Sequence, residues 1–124
     1  MATDSSFWVT ITEYIYLYNP LHELANKEKA AGSKALSEML DLMDRAWPDA
    51  VRRLSPAQAR IIDCSWGGCS DDASLAATFG KTDRWIRMQR REALESLCDF
   101  YRNECGINIY VNESAHQLSE ERGL

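Results

Sequence analysis

Histidine is scarce in this chain of 124 residues: His22 and His116 are the two, far apart and in polar surroundings. With them go the usual pairings of imidazole with a nucleophile or a metal. No P-loop, dinucleotide fingerprint or nucleophile elbow is present either. The sequence therefore argues against an enzyme and implies no cofactor. Long apolar runs are missing too, and nothing approaches the roughly 18–20 residues of a membrane span. The opening Met1-Ala2-Thr3-Asp4-Ser5-Ser6 lacks the basic region of a signal peptide. The expectation is a cytoplasmic protein that does not cross a membrane. Internal repeats and low-complexity runs are likewise absent.

Cysteine is present but weakly patterned. Cys64 and Cys69 stand five apart, and Cys98 and Cys105 seven apart. Strong zinc signals pair cysteines across two residues, and no such knuckle occurs here. No metal site is expected. Reduced thiols packed as small apolar groups are the simpler reading. The adjacent Asp71-Asp72 is better read as the first turn of a helix than as a metal site.

What the chain does have is an uneven charge. Its net charge is −5. Residues 1–50 hold four basic and eight acidic side chains, a balance of −4. Residues 51–98 hold eight basic and six acidic, +2, and residues 99–124 hold two and five, −3. Within residues 51–98, the segment from Lys81 to Arg91 holds Lys81, Arg84, Arg87, Arg90 and Arg91 against Asp83 alone. A basic stripe on an acidic protein directs a polyanion to one face and discourages indiscriminate binding.

Hydrophobic residues make up 45% of the chain, enough for the core of one domain. The periodicity predicts an all-α fold in two parts and a tail: a helical segment over 1–50, a helix-turn-helix module over 54–105, and residues 106–124. The segment from Phe7 to Tyr18 is aromatic and β-branched and fits a strand or a helix, with helix favoured until Asn19-Pro20 stops or bends it. Its aromatics Phe7, Trp8, Tyr14, Tyr16 and Tyr18 suit a core, or else a dimer interface. A helix from about Leu21 to Ala31 ends near Gly32. Ser33 reads as the cap of the next, which carries Leu36, Met39, Leu40 and Met43, and Pro48 closes it.

The second part is clearer. Ser55-Pro56 is a cap followed by proline at the first helical position. Ala59, Ile61 and Ile62 supply that helix's buried face, and Gly67-Gly68 ends it. Ser70 starts a short helix with Leu75 and Ala76, ended by Phe79-Gly80. Thr82 caps a long amphipathic helix running to about Glu104, with Ile86, Ala93, Leu94, Leu97 and Tyr101 inward. Trp85 and Trp66 each suit either the core or a partner, with core favoured for Trp85. After Gly106 the alternation at 107–111 fits a short strand or a packed tail.

A short helix, a tight turn and a long second helix, with small Ala76 at the crossing, is the order of a helix-turn-helix. Such a unit places the start of its second helix in the major groove. The run Gly80-Lys81-Thr82-Asp83-Arg84-Trp85-Ile86-Arg87-Met88-Gln89-Arg90-Arg91-Glu92-Ala93-Leu94-Glu95-Ser96-Leu97 resembles region 4 of bacterial sigma factors, which reads promoter DNA. Upstream, Leu54-Ser55 with Gln58-Ala59 and Ile61-Ile62 resembles that family's first region 4 helix, so the likeness spans Leu54 to Leu97. The architecture also resembles small phage and prophage late-gene regulators. The resemblance implies a transcription regulator whose groove-facing positions are Asp83, Arg84, Arg87 and Met88. Arginine can give two hydrogen bonds to guanine, which suits Arg84 and Arg87. Lys81, Arg90 and Arg91 suit phosphate contacts, and Thr82 stands with them as the cap of the reading helix. Double-stranded promoter DNA is the expected partner, with a homodimer or RNA polymerase completing the complex. The alternative is a phage-encoded interaction or inhibitor protein, an anti-CRISPR being one case, that binds a host protein complex. Asp83, Met88 and the acidic balance favour that alternative.

Overall fold

The computed structural model describes residues 9–66 and 71–109. Six helices lie among them: α1 (Ile11–Tyr16), α2 (Tyr18–Ala30), α3 (Ala35–Val51), α4 (Pro56–Ser65), α5 (Asp72–Phe79) and α6 (Asp83–Glu104). The fold is all-α, with no strand among the described residues. Over 107–109 the predicted alternation is that of a packed tail: Ile107 and Ile109 are buried and Asn108 is exposed. Residues 110–111 lie outside the described residues.

Several helix ends follow from local chemistry. Thr10 and Glu13 form a capping box, in which the Glu13 carboxylate accepts from the Thr10 N–H at 2.9 Å and the Thr10 hydroxyl from the Glu13 N–H at 3.0 Å. That exchange lets Glu13 be buried, since the carboxylate takes a donor with it. Ser55 and Gln58 make the same box at the start of α4, with Pro56 where proline was expected.

Four expected boundaries are corrected. Pro20 does not stop a helix. It lies in the first turn of α2, where an N–H would have no partner inside the helix. The break comes earlier, at Leu17. Pro48 does not close α3, which runs on to Val51. The ring removes a single bond near the helix end, and the buried Ala50 beyond it holds the last turn to the core. Ser33 is not a helix cap. Its N–H donates to the Glu28 carbonyl at 2.7 Å across Gly32, whose φ of 102° makes the turn, so Ser33 finishes α2 instead of starting α3. Asp71, not Ser70, caps α5, accepting from the Ser74 N–H at 2.7 Å. Ser70, with Gly67 and Gly68, lies outside the described residues.

Two apolar clusters organise the helices. The larger joins Tyr14, Ile15, Leu21, Leu36, Leu40 and Met43 to Leu97, Cys98 and Tyr101 of α6. The smaller holds Ile61, Leu75, Ala76 and Ile86, with Phe79 and Trp85 against it. α6 belongs to both: its first turns to the small cluster, its later turns to the large one. The Tyr101 hydroxyl donates to the Met43 carbonyl at 2.9 Å and pins α6 to α3. The N-terminal helices are thus the wall against which the long helix is held.

Tyr14 sits where Tyr18, Trp47, Trp66 and Tyr101 meet, with ring centroids 5.5–6.3 Å away. Its hydroxyl and that of Tyr18 both donate to Asp44, at 2.5 and 3.0 Å. His22 stacks on Tyr18 at 4.5 Å and brings its Nε2 within 3.2 Å of Asp44, without the alignment of a hydrogen bond. Trp66, Tyr14 and Tyr18 therefore serve the core. Phe7 and Trp8 lie outside the described residues.

Burial pushes the Tyr14 and Tyr101 phenols well above the usual tyrosine range, and the Cys98 thiol up to about 12. The unfolded chain releases these protons near pH 9–10, about the ordinary values for thiol and phenol, while the folded chain retains them. Raised folded values mean that the stabilisation is complete below that range and is lost progressively as pH rises from there through the folded values. The urea midpoint is expected to be lower at about pH 10.5 than at pH 8. An unchanged midpoint would place these groups in water.

Candidate nucleic-acid interface

The α5–turn–α6 unit is fixed at three points. Gly80 ends α5 in the left-handed region at φ 65°, a conformation that strains any residue with a Cβ. Its left-handed turn lets the Lys81 N–H reach back to the Ala76 carbonyl at 2.9 Å. Thr82 then caps α6, its hydroxyl accepting from the Trp85 N–H at 3.1 Å. Leu75, Ala76 and Ile86 close the angle from below. Gln58 of α4 donates to Gln89 of α6 at 3.2 Å, and this sets the third helix of the unit.

This frame leaves Lys81, Thr82, Asp83, Arg84, Arg87, Met88 and Arg91 exposed. Arg84, Arg87, Met88 and Arg91 follow one another at helical spacing and share one face of α6. Arg91 Nε lies 3.6 Å from Glu95 Oε1, an exposed pair of little strength. Arg87 Nη1 lies 3.9 Å from Asp72 Oδ2 and is still mostly in water. Met88 is the large apolar side chain on this face, 48% exposed.

Arg90 is corrected. Its side chain is 12% exposed and turned inward, so it is not presented to a phosphate. Its guanidinium donates to Asp72 of α5 and, through Nε, to the Ser65 hydroxyl at 3.4 Å. Ser65 is fully buried and its hydroxyl donates to the Ile61 carbonyl at 2.7 Å. Burial pushes the Tyr16 phenol of α1 up, and Arg90 and Ser65 beside it hold back part of that rise. Arg90 therefore joins α1, α4, α5 and α6 around a single charge. In the sequence, Arg90 and Arg91 suit the same phosphate-contacting role, because the partner that draws Arg90 in lies on another helix.

One basic residue escaped the sequence reading. Arg60 of α4 lies over the Phe79 ring at 5.3 Å from its centroid. Phe79 meets Trp85 at 5.8 Å, and Lys81 Nζ lies 5.4 Å from the Trp85 ring. Two aromatic rings thus hold a cation on either side of the turn, in positions each ring face favours. Nothing in the spacing of α4 marks Arg60, since the stack forms only when α5 folds back.

The remaining chemistry is sparse. Cys64, Cys98 and Cys105 are free thiols, and Cys69 lies outside the described residues. Among the described residues no three His, Cys, Asp or Glu side chains are grouped to hold a metal ion. No helix among them is long and apolar enough to cross a membrane. Compared with protein-family profiles, curated proteins and solved structures, the chain matches none.

Proposed function

We propose that this chain is a DNA-binding transcription regulator that lays the first turns of α6 in the major groove of promoter DNA. One observation carries the reading: Arg84, Arg87 and Arg91, with Lys81 beside them, are exposed on one end of a helix that the rest of the fold holds rigid. Arg84 and Arg87 are the base-reading pair, and Lys81 and Arg91 face phosphates. The acidic remainder of the chain limits contact with DNA to this end. Four cations give a modest affinity, so a second copy or RNA polymerase completes the complex.

Fluorescence anisotropy of a labelled duplex across a salt series tests this. Four neutralised phosphates predict a log–log slope of about −4. Absence of binding at about 50 mM salt overturns the reading, since phosphate attraction is strongest there. A host protein complex as the target is the second reading, favoured by the acid Asp83 standing exposed on this same face. Retention of one defined complex from host lysate, by a chain that ignores DNA, is its signature.

A further inference from the structure

We infer that Met88 reads a thymine methyl group, which makes the target a guanine-containing site with a thymine close by. The inference rests on the DNA-binding reading and specifies what that face selects. Met88 is 48% exposed, with Arg87 next to it and Arg84 and Arg91 one turn away on either side. An apolar side chain in such a setting has two kinds of occupant. A protein interface needs a contiguous apolar centre depleted of charge. Three arginines around a single methionine do not make one. The major groove offers partners for both kinds of side chain: guanine edges and flanking phosphates for the arginines, and the C5-methyl of thymine as an apolar group among polar ones.

The geometry sets the spacing. Arg84 and Met88 are four residues apart, about 6 Å along the helix axis. With the axis running along the groove, that is about two base-pair steps. The guanine met by Arg84 and the thymine met by Met88 are then separated by about two steps. Methionine suits the task, since its unbranched thioether adapts to a shallow apolar bump. Asp83, on the same end of the helix, repels phosphate and keeps the approach from sliding toward the backbone there.

The test begins with a randomised duplex pool selected on the wild-type chain at low salt. In the selected duplex each thymine is then replaced, one at a time, by deoxyuridine, which removes the methyl and nothing else. Wild type is expected to lose about fourfold in affinity at one thymine, the worth of one buried methyl. Met88→Ala is expected to bind thymine and deoxyuridine duplexes equally, with its salt slope unchanged. Equal binding of both duplexes by the wild type overturns the inference and leaves the DNA reading standing. Discrimination that survives in Met88→Ala overturns it too. A pool that yields no bound duplex overturns both.

Discussion

Tyr14→Ala is expected to cost about 4 kcal/mol of folding stability, within the usual range for truncation of a buried aromatic. The ring is 1% exposed and lies against four other rings, from α2, α3, the end of α4 and α6. Removing it opens a cavity where those elements meet, and it leaves Asp44 with the Tyr18 hydroxyl as its remaining phenol donor. Against a total stability of about 5–15 kcal/mol, such a loss brings the chain close to unfolding. Tyr14→Phe separates the two contributions. It keeps the ring, removes the donor, and is expected to cost about 1 kcal/mol. Urea unfolding followed by circular dichroism measures both. Similar costs for the two variants would mean that the hydroxyl, not the ring, holds this junction.

Arg84→Ala combined with Arg87→Ala is expected to abolish specific DNA binding while leaving the fold intact. Each bidentate arginine contributes about 1–3 kcal/mol to base reading. Together they amount to about 4 kcal/mol, roughly a thousandfold in affinity. Both side chains are exposed, so stability is expected to move by less than about 0.5 kcal/mol. Arg90→Ala is the control with the opposite outcome. It takes from Asp72 its nearer cation, leaving Arg87 at 3.9 Å, and from the buried Ser65 hydroxyl a donor, and is expected to cost about 2 kcal/mol of stability. Asp72 is 29% exposed, so water offsets part of the loss that a fully buried pair would show. Retained stability with lost DNA binding in Arg90→Ala would return Arg90 to the phosphate-facing set.

The contrast between these arginines marks what the sequence made legible. Features decided within a few residues were readable: the Ser55 and Thr82 caps, the Gly80 turn, and the apolar stripe from Ile86 to Tyr101. The caps and the turn close through backbone donors within five positions, and the stripe follows from the helical period. The prolines misled because their effect depends on where a helix starts. Pro20 falls in a first turn, where an N–H has no partner inside the helix, while Pro48 removes one bond from α3 and the packing of the buried Ala50 beyond it offsets that loss. Ser33 misled because two helix ends compete for it. At the candidate site, the outward residues of α6 were legible from its period. The inward turn of Arg90 toward Asp72 was not, and neither was Arg60 on the Phe79 ring, because both are set by contacts between helices. Trp85 was legible in part. It packs against the small cluster, as favoured, and also carries Lys81 on its outer face.

The central claim is that α6 presents its Arg84 face to duplex DNA. Arginine side-chain Nε–Hε resonances followed by NMR during titration with a duplex test it most directly. Shifts are expected at Arg84, Arg87 and Arg91, with Arg90 unmoved in its contact with Asp72 and Ser65. Shifts confined to arginines elsewhere, such as Arg45 and Arg102, or no shift at any arginine, would contradict it.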